Sequence, residues 1–159
     1  MVSLIAGSVV SFSVGTHSNP GGCWDVRERF LGRAVGEVVR IAISDDANHG
    51  PPGDHAAGAP ALGLRVQVGG RTIAYSGDTA WTDTLIELAD GADLFVCETY
   101  TATRRVPYHL DLPTVRANRH RLRCARLLLI HPGPDLLGHR ASLGGDLDLA
   151  DDGTVIELE

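Results

Sequence analysis

Apolar residues in this chain come in short runs that end on polar residues. From Val2 to Val14 the residues are β-branched or small, which predicts one or two strands. Trp24 to Arg33 predicts a short helix and Val35–Ile43 a strand, while Gly, Pro, Asp and His dominate Asp45–Pro60 and predict a loop. Ala61–Val68 and Arg71–Ser76 then flank Gly69-Gly70, a strong two-residue hairpin signal. Trp81, Leu85, Leu88 and Ala89 recur at helical spacing, and Gly91 ends that helix. Asp93–Cys97 reads as a short buried strand, followed by a long loop over Glu98–Leu112. Pro113 opens a helix to about Arg123, Arg126–Ile130 is another buried strand, and Thr154–Leu158 is an edge strand. Strand and helix alternate over residues 71–131, which predicts an α/β fold.

Two buried runs stop on residues able to hold a metal. The run Arg71–Ser76 leads into Gly77-Asp78-Thr79, and Arg126–Ile130 leads into His131-Pro132. Polar residues delivered at strand tips are how an α/β sheet builds a site along one edge. Gly-Asp-Thr is equally an ordinary turn in which Asp78 caps the next helix. Glu98 ends the strand before the long loop, and His109 lies within that loop. A carboxylate bonded to one imidazole nitrogen fixes the tautomer and raises the basicity of the other.

Composition narrows the class without choosing the chemistry. A chain of 159 residues with 43% hydrophobic and 21% charged residues is one globular domain. No apolar run approaches the ~20 residues of a membrane span. Three widely spaced cysteines, Cys23, Cys97 and Cys124, predict reduced thiols and a cytoplasmic location. The net charge of −6 excludes general nucleic-acid affinity, yet seven of the 14 basic residues, all Arg, fall between Arg104 and Arg126. Either these arginines form a solvated face or they steer phosphate.

The order of segments carries more information than any one of them. Tyr75-Ser-Gly-Asp-Thr79, a helix, Gly91-Ala-Asp-Leu-Phe-Val-Cys-Glu-Thr99, His109-Leu-Asp-Leu-Pro-Thr114, a helix, then Leu127-Leu-Leu-Ile-His-Pro-Gly-Pro134 resembles the C-terminal half of metallo-β-lactamase-fold hydrolases. The likeness is to the ribonuclease Z and phosphodiesterase branch and covers about residues 59–159. It implies part of an αββα sandwich, mainly its C-terminal αβ half. It also implies a two-metal site of zinc, with manganese or iron as further candidates. Asp78 matches the family's metal-bridging aspartate and His131 its strand-end metal ligand. Glu98 and His109 match its catalytic pair, with Cys97 where the family has His. Arg104 or Arg105 would lie near the phosphate of a phosphodiester or other ester substrate, RNA included.

The family's His-x-His-x-Asp-His signature does not occur in this sequence; His17, His49 and His55 stand in other patterns. The expectation is a single, N-terminally truncated domain whose hydrolase site is incomplete. An apolar sheet face should then be left partly uncovered by Val2–Val14 and Val35–Ile43. The alternative is a non-catalytic α/β module that binds a partner through that face. Assembly into a homo-oligomer stays open.

Overall fold

The computed structural model describes residues 3–6, 37–42, 62–145 and 147–158. The helix expected at Trp24–Arg33, the loop at Asp45–Pro60, and His17, His49 and His55 lie outside them. Strands β1 (Ser3–Ala6) and β2 (Glu37–Ala42) precede a hairpin of β3 (Leu62–Val68) and β4 (Arg71–Tyr75). Gly69 and Gly70 turn it with φ of 57° and 79°, the positive pair that a two-residue hairpin with the right twist requires. Next come α1 (Thr84–Ala89), β5 (Leu94–Glu98), α2 (Leu112–Asn118) and β6 (Arg126–Ile130). Helix α3 (Pro134–Gly138), β7 (Leu147–Leu149) and β8 (Val155–Leu158) follow.

The main sheet runs β2-β3-β4-β5-β6-β7. Its first two pairings are antiparallel and the remaining three parallel. Parallel pairing follows from the helical crossovers, and it brings the C-terminal tips of β4, β5 and β6 to one edge. Residues alternate across the pleat, so β5 sends Phe95 and Cys97 one way and Leu94 and Val96 the other. Phe95 and Cys97 join Leu85 and Leu88 of α1, Val115 of α2 and Leu136 of α3 in the larger core. Burying each such Leu or Phe contributes about 1.5–3 kcal/mol.

The second face contains Ile73, Leu94, Val96, Leu128 and Ile130, and Ile156 of β8 packs against it. Those five sheet residues are all 4% exposed or less, so the uncovered apolar face expected from the sequence is absent among the described residues. Strand β8 is correspondingly not an edge of the main sheet. It pairs in parallel with β1 as a separate two-stranded layer over that face.

Other departures are local. Helix α1 begins at Thr84 rather than Trp81, because the Thr82 hydroxyl accepts from the Thr84 N–H and makes a turn there. Asp78 therefore does not cap it. Helix α2 ends at Asn118, whose side-chain amide donates to the Thr114 carbonyl, and the chain continues to Arg121 as a 3-10 turn. Among the described residues no helix is long and apolar enough to cross a membrane.

Candidate metal centre

Three strand tips form the floor of the site. The Ser76 hydroxyl accepts from the Glu98 N–H at 2.9 Å and donates to the Gly77 carbonyl at 2.7 Å, tying the end of β4 to the end of β5. Gly77, at φ 67°, turns the chain so that Asp78 stands half-exposed above the edge. At the tip of β6, His131 takes φ 57°, a left-handed conformation that is costly for a residue with a side chain. Strain of this kind persists only where the surroundings enforce it.

Glu98 is fully buried, and its carboxylate organises everything around it. Oε2 accepts from the Thr79 N–H at 3.0 Å and the Leu110 N–H at 3.2 Å. Oε1 bonds His109 Nδ1. With that nitrogen committed, the other imidazole nitrogen of His109 is the one available to a ligand or substrate. The loop that carries His109 is closed at its base: Tyr100 N–H donates to the Leu110 carbonyl at 2.9 Å and Leu112 N–H to the Thr101 carbonyl at 2.8 Å. Asp111 then caps α2, accepting from the Thr114 N–H at 2.8 Å.

Tyr100 sets the spacing of the two imidazoles. Its ring stacks on His109 with centroids 4.9 Å apart and meets His131 at 5.4 Å. Gly133 makes room for it, since a Cβ there would lie 2.9 Å from the Tyr100 carbonyl oxygen and 3.1 Å from its ring. Tyr100 was not singled out from the sequence; its place directly after Cys97-Glu98-Thr99 was the only signal.

Asp78, His109 and His131 each offer one ligand atom, and the three atoms lie within 4.8 Å of one another. His131 Nδ1 is 3.2 Å from Asp78 Oδ1 and 3.5 Å from Glu98 Oε1. The angles nevertheless leave this buried nitrogen without a hydrogen bond. The two carboxylates still act on it as close proton acceptors: Asp78 first, then Glu98, pushes the His131 imidazole up to about 10 against the opposing effect of burial. Burial resists ionisation of Asp78, but His131 and then His109 outweigh it and hold that carboxyl below its ordinary range. An orphaned imidazole nitrogen beside a carboxylate and a second imidazole is a donor set that fits a divalent cation such as zinc.

Cys97 does not belong to this group. It is fully buried in the helix-side core, and burial, then Glu98, raises its thiol well above the usual range. Arg104 and Arg105 also stand apart from it. With Asp111, Thr114 and Asn118 they line a separate recess that none of the three potential ligands reaches.

Strand-tip Asp78, Glu98 and His131 around loop residue His109 is the pattern implied by the resemblance, and residues 26–132 match the family described as Beta-lactamase superfamily domain. The chain belongs to that family. The match begins well before residue 59, so the superfamily likeness extends further toward the N-terminus than the motifs alone indicated. Among curated proteins, the uncharacterized protein ML1173 of Mycobacterium leprae (strain TN) is 41% identical over 76 residues, which is 45% of this chain and 27% of that protein. The metallo-β-lactamase fold protein YhfI of Bacillus subtilis superposes with a TM-score of 0.53 at 18% identity, over 74% of this chain and 48% of YhfI. A diphosphatase from the PhnP family gives a TM-score of 0.57 at 18% identity, over 79% of this chain and 46% of that one. The chain thus spans about a quarter of the length of the curated proteins it matches and about half of each of these solved structures.

Proposed function

We propose that this chain carries the proton-donating wall of a metal-dependent phosphodiesterase site. The observation that supports this reading best is the buried Glu98 carboxylate bonded to His109, which aims an imidazole across Asp78 and His131. Asp78 and His131 would hold the metal, zinc being favoured by the nitrogen and oxygen donors and manganese or iron being alternatives. A divalent ion there supplies Lewis-acid chemistry and a strong nucleophile at neutral pH. His109, oriented by its bond to Glu98, would hand a proton to the departing oxygen of a phosphodiester. One catalytic zinc takes about three protein ligands, of which Asp78 and His131 would supply two while His109 serves as the acid. A two-metal site needs further ligands, which this reading assigns to sequence outside the chain, because no His-x-His-x-Asp-His segment occurs in it.

The non-catalytic alternative loses its proposed surface, since the second sheet face is buried. Metal titration separates the two readings. We expect tight uptake of Zn²⁺ that Asp78→Ala or His131→Ala weakens, and turnover of bis(p-nitrophenyl) phosphate with added Zn²⁺ or Mn²⁺. Protein that takes up no metal and shows no turnover refutes the enzymatic reading for this chain.

A further inference from the structure

Of the ten arginines whose side chains are described, most are engaged within the protein. Arg71 pairs with Asp93, Arg121 with Asp83, Arg123 with Asp90, Arg126 with Asp148 and Arg140 with Asp151, each at 3.1 Å or less. Arg65, Arg116 and Arg119 donate to the Leu88, Ser142 and Leu122 carbonyls. The basic segment read from the sequence is therefore mostly structural. Arg104 and Arg105 are the exceptions. Arg105 comes no closer than 3.9 Å to its nearest carboxylate, Asp111, and is 89% exposed.

Both exceptions line one recess of about 340 Å³ between the His109 loop and α2, together with Thr103, Thr114 and Asn118. The recess wall is held in place. Asp135, at the start of α3, accepts from the Ala102 and Thr103 N–H groups and from the Thr103 hydroxyl. The Thr101 hydroxyl bonds the Arg104 carbonyl, fixing the backbone from which the guanidinium extends. Asp111 also lines the recess, but its oxygens accept from the Thr114 N–H at 2.8 Å and the Thr114 hydroxyl at 2.9 Å. Arg104 makes no ion pair among the described residues and Arg105 only a long one with Asp111, so over a fixed polar wall the recess keeps a net positive charge and free donors that suit a phosphate.

We infer that this recess is a second anion subsite, which binds a phosphate other than the one being cleaved. The inference rests on the phosphodiesterase reading and narrows its substrate class. A phosphodiester with at least two phosphates, as in a short oligonucleotide, spans the recess and the His109 side of the same loop. A cyclic phosphodiester with one phosphate cannot occupy both.

The test is NMR titration of the ¹⁵N-labelled whole chain with inorganic pyrophosphate and with a trinucleotide. The expected result is shifts centred on Thr103, Asn118 and the Arg104 and Arg105 side chains. The double variant Arg104→Ala/Arg105→Ala should weaken both probes by about tenfold or more. Arg123→Ala, which removes an arginine paired elsewhere, should leave both unchanged. Shifts centred on His109 and His131 and insensitive to the double variant overturn the subsite. So does an equal loss in Arg123→Ala, which marks non-specific charge attraction. Because His131→Ala is expected to weaken metal uptake and His131 does not line the recess, pyrophosphate binding that survives it stands even if the phosphodiesterase reading fails. Turnover with a silent recess defeats the subsite alone.

Discussion

Replacing Glu98 by Gln tests how this site works, because the change keeps shape and removes one charge. The carboxylate accepts from two backbone N–H groups and from His109 with no exposure to water. A Gln side chain can keep its oxygen toward Thr79 and Leu110 only by presenting its NH₂ to His109 Nδ1. His109 must then accept at Nδ1, which moves its proton to the nitrogen facing the site. The bond survives in neutral form, so the stability loss is the difference between charge-assisted and neutral hydrogen bonds, about 1–2 kcal/mol. The loss in chemistry is larger, because the carboxylate that orients His109 for proton transfer is gone. Turnover should fall by about 10²–10⁴-fold if His109 is the acid. Its affinity for Zn²⁺ should change by less than about threefold. ¹⁵N-detected imidazole NMR reads the tautomer, calorimetry the metal affinity and thermal unfolding the stability. If Zn²⁺ affinity falls by about 10–100-fold while turnover at saturating metal is retained, His109 is a ligand oriented by Glu98 and the acid assignment is wrong.

Gly133→Ala should destabilise the chain by about 1–3 kcal/mol and disturb the His109 and His131 imidazole signals, because its Cβ collides with Tyr100; unchanged unfolding and spectra would contradict the spacing role of Tyr100. His131→Gly should unfold later than His131→Ala, by about 1 kcal/mol, since φ is 57° there. An Ala variant of equal or greater stability argues against backbone strain at that tip. The Ala102 N–H, with Thr103, holds the Asp135 carboxyl below its ordinary value of 3.8. Its contribution is therefore complete above about pH 4 and lost as pH falls through the lower folded value. The difference in Tm between the parent and Asp135→Asn should be constant near neutrality and shrink below pH 4; a difference that grows in acid has the wrong sign.

The sequence made the strand-tip residues legible because their signal is local. A buried run followed by Gly77-Asp78 or His131-Pro132 states both the strand and its end. Gly69-Gly70 did the same for the hairpin, and Pro113 for α2. His109 was legible through the resemblance, not through spacing, because a loop has no period from which to project direction. The three-residue β7 is too short to show alternation, whereas α3 had a signal in Pro134 at its first turn that could have been used. Pairing of the arginines was invisible, because partners such as Asp90 for Arg123 and Asp148 for Arg126 lie tens of residues away. Coverage of the second sheet face likewise depended on β8 leaving the main sheet, a choice of layer that no strand pattern encodes.

The closed base of the His109 loop has an evolutionary consequence. Its cross-bonds join Tyr100 to Leu110 and Thr101 to Leu112, below the turn that carries Arg104 and Arg105. The upper turn can therefore be rewritten or lengthened at little entropic cost while the imidazole stays in place. Under the proposed reading, recognition and chemistry are mounted on the same loop but on separately closed parts of it. Residues 103–105 can change without rebuilding the Glu98–His109 pair beneath.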